Sequence, residues 1–175
     1  MSRDQLYFDR LHRFIPLLHQ RQYLSWSKER NKKKSCLCLQ SAMWTLAASV
    51  SSQFQHLQEQ LYRETKLNLE SLNNGYETYS PTDTEQIQAL VLLATYESMR
   101  APKQQAWMTA GQAFRLVQFM KFHQIDNPSI YATGGSTKSF VEIEEQRRVF
   151  WMSYFLDTLL TMLNSLPVTV SEQMV

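Results

Sequence analysis

Leu39, Met43, Leu46, Val50, Phe54, Leu57 and Leu61 follow one another at steps of four, three, four, four, three and four. That spacing puts every member on one face of an α-helix, and it predicts one continuous helix across the stretch. Asn73, Asn74 and Gly75 supply the turn geometry that ends it. Gly occurs 4 times and Pro 5 times in 175 residues, below the average usage of roughly 7% and 5%. A turn-rich sandwich, a collagen-like chain and a Gly-rich linker are therefore excluded. With 43% hydrophobic and 12% aromatic residues, the chain has enough apolar surface for one core. The expected fold is all-α, an irregular multi-helix bundle forming a single domain over residues 1–175.

The other elements follow from the same period. Tyr7, Phe8, Leu11, Phe14 and Ile15 recur at helical spacing until Pro16, which pushes the residue before it out of helical geometry. A short helix and a turn are expected between Leu6 and Tyr23. Residues 25–35 collect Lys28, Arg30, Lys32, Lys33 and Lys34 with no apolar period, as a solvated basic loop does. Asp83 with Gln86 resembles a capping box opening a second long helix, with Ile87, Leu90, Val91, Ala94 and Met99 inward. Ala101 before Pro102 breaks the chain. Trp107, Ala110, Gly111, Phe114, Val117 and Phe122 then continue the period, Gly111 allowing a neighbouring helix to approach. Residues 124–138, with Asn127, Pro128, Gly134 and Gly135, form an irregular link. Phe140 to Leu163 gives a final core helix with Phe150, Trp151, Tyr154, Phe155 and Leu159, closed by Pro167.

Charge and cysteine content narrow the function. Eighteen basic and 16 acidic residues leave a net charge of +2, far from the basic excess of a self-sufficient nucleic-acid binder. Cys36 and Cys38 cannot build a disulfide framework, and their spacing is tighter than a zinc site uses, so they are expected to be ordinary thiols in a reducing compartment. No cofactor is expected. The N-terminus shows no apolar secretory segment. Val149 to Leu163 is interrupted by Ser153, Asp157, Thr158 and Thr161, too polar and too short to span a membrane.

Candidate chemistry is sparse. The four histidines, His12, His19, His56 and His123, never pair at a spacing of four, so no zincin-type site forms. His123 is expected to cap the end of a helix. There is no nucleophile elbow and no phosphate-cradling glycine loop, and Gly134 to Lys138 reads as a flexible loop. The run Lys32, Lys33, Lys34 with Arg30 fits either a solvated loop or a nuclear import signal. Glu144 precedes Arg147 by three residues and Arg148 by four, so both guanidinium groups can reach its carboxylate, with Glu145 also near Arg148. A charge network holding helices together is expected there, and catalysis by Glu144 or Asp157 lacks an identifiable partner group.

Phe8-Asp9-Arg10-Leu11-His12 followed by Ile15-Pro16-Leu17-Leu18-His19 resembles the opening of the regulatory (middle homology) domain of fungal binuclear zinc cluster transcription factors. Glu85 to Tyr96, Trp107 with Gly111 to Leu116 and His123, then Glu144, Arg147, Arg148, Trp151 and Leu156-Asp157 resemble the domain's later signatures in order. The resemblance implies an all-helical nuclear domain that modulates transcription through protein contacts or inducer sensing. It marks Arg115, Glu144, Arg147, Arg148, Trp151 and Asp157 as structural signature residues. It also implies that DNA reading and zinc binding belong to a six-cysteine module absent from these residues, so direct DNA binding by this chain is not expected. The partners implied are transcription machinery, a full-length relative or a small effector; a stand-alone effector-binding or dimerisation module is the alternative. Two departures stand out: Ser165 and Leu166 replace small and basic residues before Pro167, and Lys121 stands where a glycine is usual before the histidine. Further helices normally follow in that family, and they would cover apolar faces left open here.

Overall fold

A computed structural model describes residues 2–73, 84–100, 103–126 and 139–166, with helices and no strand among them. The helices are α1 (Arg3–Leu6), continued by a π-turn over Tyr7–Leu11, α2 (Gln20–Trp26), α3 (Lys34–Ser49), α4 (Gln58–Asn73), α5 (Thr84–Ser98), α6 (Lys103–Phe119) and α7 (Phe140–Leu163). The expected all-α class is what the chain adopts. Asn74, Gly75, Asp83, Ala101, Pro102, residues 127–138 and Pro167 lie outside the described residues, and so do the expectations placed on them.

Two helices run through the middle. α5 is apolar almost all round, from Ile87 through Ala94, and packs against α3, α6 and α7. α3 is nearly as enclosed, with Cys38, Leu39, Ala42, Met43, Leu46 and Ala47 all at or below 1% exposure. Helices apolar on every side are buried ones. Alanines at the contacts (Ala42, Ala47, Ala89, Ala94, Ala106, Ala113) let the helix axes come close. Several polar groups drawn into this core are hydrogen-bonded, as burial demands. Thr45 Oγ1 bonds Ser41 O at 2.8 Å and Thr65 Oγ1 at 3.1 Å, and the Gln88 amide donates to Leu17 O at 2.9 Å.

The predicted helix across 39–61 is instead two helices around a corner. α3 stops at Ser49, whose hydroxyl donates to Leu46 O at 2.7 Å, and Val50 leaves helical geometry at φ −104°, ψ 12°. Ser49, Ser51 and Ser52 compete for backbone groups, and Val50 is β-branched, so the helix is weakest there. A 3-10 turn at Gln55–Leu57 then starts α4, which folds back on α3. Leu39, Met43, Leu46 and Leu61 still face inward, so the stripe reports the buried side but not the corner.

Other boundaries move as well. Over the N-terminal stretch the chain makes α1 and its π-turn, turns at Pro16, where Leu17 N–H donates to Ile15 O at 2.9 Å, and then begins α2, which extends to Trp26. The basic loop shrinks to residues 27–33, because Lys34 and Ser35 already belong to α3. Phe14 and Met99 are exposed rather than inward, at 70% and 60%. Phe122 is buried but sits in a 3-10 turn after α6. α7 has the expected bounds and begins with a capping box, Ser139 with Glu142. Only one side of it is core: Val149, Phe150, Leu156 and Leu160 are buried, whereas Trp151, Phe155, Leu159, Met162 and Leu163 form an exposed apolar stripe.

Lys121 adopts the left-handed conformation, φ 56° and ψ 34°, where the chain leaves α6. A side chain in that region costs about 1–2 kcal/mol, and glycine avoids the cost. Lys121→Gly is expected to stabilise the fold by about 0.5–1 kcal/mol after the added freedom of the unfolded chain is subtracted. A melting temperature raised by a few degrees checks it; a lowered one contradicts it.

Candidate functional site

The six signature residues fall into two places. Glu144, Arg147, Arg148 and Trp151 stand on the first half of α7, beside Pro16 and Leu17, around a groove of about 320 Å³. Glu144 joins its neighbours: Arg147 Nη1 donates to Oε2 at 2.6 Å and Arg148 Nε to Oε1 at 2.8 Å. Arg147 also holds Asp126, just past the 3-10 turn that follows α6, through Nη2 at 2.5 Å and Nε at 3.4 Å. Arg148 Nη1 reaches Pro16 O at 3.3 Å. One carboxylate and two guanidinium groups thus connect α7, the segment after α6 and the bend before α2.

The Arg148 and Arg147 hydrogen bonds hold the Glu144 carboxyl below its ordinary pKa, and the Arg147 guanidinium does the same for Asp126. Their side chains are about a third exposed, 30% for Glu144 and 32% for Arg147, so solvent screens the pairs. Glu144→Ala is expected to cost about 1 kcal/mol, and less in concentrated salt. Urea unfolding at low and high ionic strength measures both, and a loss independent of salt contradicts the electrostatic account.

Glu145 is the neighbour with the unusual environment. Its Oε1 accepts the His19 backbone N–H at 2.6 Å, at the entry to α2. Burial pushes its carboxyl up to about 7, reinforced by the Glu85 and Glu142 charges and opposed by the His19 hydrogen bond and by Arg148. His12 is shifted down by burial, then by the Arg148 and His19 charges.

Arg115 and Asp157 lie apart from that junction. They line a cavity of about 220 Å³ between α6 and α7, together with Trp107, Met108, Gly111 and Phe114. Asp157 is 2% exposed, while Arg115 stands in solvent at the mouth. A Cβ added at Gly111 would sit 3.6 Å from Arg115 Nη1 and 3.7 Å from Asp157 Oδ1. Gly111 therefore opens space for side chains and a cavity, not for the close helix backbone expected of it. The Trp107 indole is fixed by donating to the buried Thr161 Oγ1 at 3.2 Å.

Other candidates resolve simply. Cys36 and Cys38 are buried on α3 and not disulfide-bonded, and burial pushes the Cys38 thiol up to about 12, so it stays protonated and unreactive. His123 lies in the 3-10 turn that follows α6, and its buried Nδ1 makes no hydrogen bond among the described residues. Lys32 donates to Gln40 Oε1 at 2.8 Å.

Two polar hubs carry almost no sequence signal. Asp4 Oδ1 accepts from Tyr23 OH at 2.6 Å and Trp44 Nε1 at 2.7 Å, tying α1 to α2 and α3. Glu97, 3% exposed on α5, accepts from Tyr62 OH of α4 at 2.8 Å and Thr109 Oγ1 of α6 at 2.6 Å. Only a polar residue inside an otherwise apolar helical period points to Glu97.

A family profile described as the fungal specific transcription factor domain matches residues 5–175. The citrinin biosynthesis transcriptional activator mrl3 of Monascus ruber is 53% identical over 172 residues, covering 98% of this chain and 33% of that protein. The ascochitine biosynthesis cluster transcriptional regulator of Didymella fabae is also 53% identical, over 98% of this chain and 30% of its own length. Transcription factor tazR of Aspergillus terreus is 43% identical over 98% of the chain and 27% of its own length. The chain spans about a third of the first two relatives. No solved structure matches it.

Proposed function

Because this chain belongs to the fungal specific transcription factor domain family, we propose that it is the regulatory region of a nuclear regulator that controls a biosynthetic gene cluster. It acts through protein contacts or effector sensing and leaves promoter reading to other residues. The observation that carries this reading is the match along 98% of the chain to named cluster activators and regulators. A net charge of +2 and two buried cysteines support a region without zinc or base readout of its own. The exposed stripe Trp151, Phe155, Leu159 and Met162 on α7 supports protein contact, since apolar patches of this kind mark interaction surfaces. No catalytic step is assigned.

An exchange experiment tests it. In the Monascus ruber citrinin activator, the segment matching this chain is deleted or replaced by this chain, and cluster transcripts are measured. Deletion is expected to abolish or deregulate transcription, and the exchange to restore it at least in part. Unchanged transcription after deletion contradicts the proposal.

A further inference from the structure

The net charge of +2 conceals an uneven distribution. Residues 1–34 hold nine Lys and Arg against three Asp and Glu, a net +6, and the rest of the chain holds nine against thirteen, a net −4. Such asymmetry points to a polyanionic partner. Five of the nine cations, Lys28, Arg30, Lys32, Lys33 and Lys34, fall within seven residues at the turn from α2 into α3, with Glu29 the one acid among them. Lys28, Arg30, Lys33 and Lys34 are exposed, and none of them is ion-paired with a carboxylate among the described residues. The turn is held in place: Lys32 Nζ donates to Gln40 Oε1 at 2.8 Å, Gln40 Nε2 to Tyr23 OH at 3.0 Å and Glu29 N–H to Trp26 O at 3.0 Å. The four exposed cations are therefore clustered before a partner arrives, and little backbone order has to be gained on binding. α3 opens at Lys34, so the positive end of its dipole adds to the same field.

The make-up of the patch selects the partner. Four of its five cations are Lys, compact point charges that contact phosphates without demanding one geometry, whereas carboxylate recognition favours the planar fork of Arg. A duplex carries one negative charge per roughly 1.7 Å of its axis, and an extended acidic peptide at most one per roughly 3.3 Å. Seven residues reach at most about 25 Å, so a duplex lying along the turn offers a phosphate to every exposed cation. The proposed function also brings promoter DNA within reach: a reading module seated on the promoter holds this region at an effective concentration on the order of 1 mM.

From this placement we propose that residues 28–34 dock on the phosphate backbone of double-stranded DNA, with no contact to the bases. Phosphate contacts position a protein on the duplex and carry no sequence information directly, so promoter reading stays with other residues. The proposal rests on the regulatory reading only for the nearness of DNA, because binding is measured on the chain itself without transcription.

The test is fluorescence anisotropy of two labelled 30-base-pair duplexes of unrelated sequence, titrated with the purified 175-residue chain over a range of salt concentrations. Both are expected to bind alike, with Kd on the order of 10–100 µM near 20 mM salt, and log K is expected to fall with log salt at a slope of about −3 to −4, as four phosphate contacts require. Lys33→Gln with Lys34→Gln, two exposed changes that leave the core intact, is expected to lower affinity at least about tenfold near 20 mM salt and to flatten the slope by about 2. Lys103→Gln with Arg115→Gln removes the same charge from exposed positions of α6 and is expected to leave both nearly unchanged. No binding up to about 1 mM chain near 20 mM salt, equal losses from the two double variants, a strong preference for one duplex, or binding as tight to poly-glutamate or phosphatidylserine vesicles of matched charge overturns the proposal. A negative titration beside a successful segment exchange removes the DNA contact and leaves the regulatory reading standing.

Discussion

Glu97→Ala is expected to destabilise the fold by about 3–5 kcal/mol, the largest loss from any single polar side chain described above. The carboxylate is buried, and it accepts one hydrogen bond from α4 and one from α6, at 2.8 and 2.6 Å. Hydrogen bonds to a charged group contribute about 1.5–3 kcal/mol each. The Lys66 ammonium at 3.8 Å adds little, since it is 32% exposed. Truncation also leaves an empty space between three helices. Thr109 can turn its one hydroxyl proton to Gln105 O, 3.1 Å away, and Tyr62 is only partly buried and regains water, so the upper end of the range is a ceiling. Glu97→Gln keeps the volume but has a single acceptor oxygen for two donors, and is expected to lose about half as much. Urea denaturation of the three proteins at neutral pH measures this, and a loss below about 1 kcal/mol for the alanine variant contradicts the hub.

The second large effect is on pH. Glu145 has an ordinary carboxyl pKa of 4.5 in the unfolded chain and one raised to about 7 in the fold. A raised carboxyl pKa means that the native state binds more protons between these values. Stability is therefore full from this group at acid pH, falls as pH rises from about 4.5 to 7, and stays low above. A shift of this size corresponds to about 3 kcal/mol at most, and solvent near a half-buried group reduces it to about 1–2 kcal/mol. His12 works in the opposite direction. Its lowered pKa favours the neutral imidazole in the fold, so stability from it is present above its ordinary value of 6.5 and is lost as pH falls. Glu145→Gln separates the two, because the amide oxygen still accepts from His19 N–H but does not titrate. The variant is expected to lose about 1–2 kcal/mol less than the parent between pH 5 and pH 8. Identical pH profiles contradict the assignment.

How much of this could be read from the residues depends on the kind of information each feature carries. α5, α6 and α7 follow from apolar spacing because each keeps a continuous inward face, and the Glu144 junction follows because its partners lie three and four residues away on one helix. The corner after Ser49 does not follow. A stripe at steps of three and four shows which side is buried, and it survives a bend in which the backbone hydrogen bonds are interrupted. Glu97 escapes for a different reason: its partners lie 35 and 12 residues away. Arg115 and Asp157 were legible as signature residues, while the cavity they share was not, since it arises only from α6 crossing α7 with Gly111 between them. Lys121 is the converse case. The family resemblance implies a glycine at this position, and the left-handed backbone at Lys121 is one that glycine adopts at least cost.

The central claim is that this helical region modulates transcription without reading DNA itself. Its most direct measurement is reporter output in a fungal host when residues 1–175 are fused to an unrelated DNA-binding module whose operator stands upstream of the reporter. The account predicts output clearly different from that of the module alone. Output equal to the module alone, from a fusion shown by circular dichroism to be folded and helical, would contradict it.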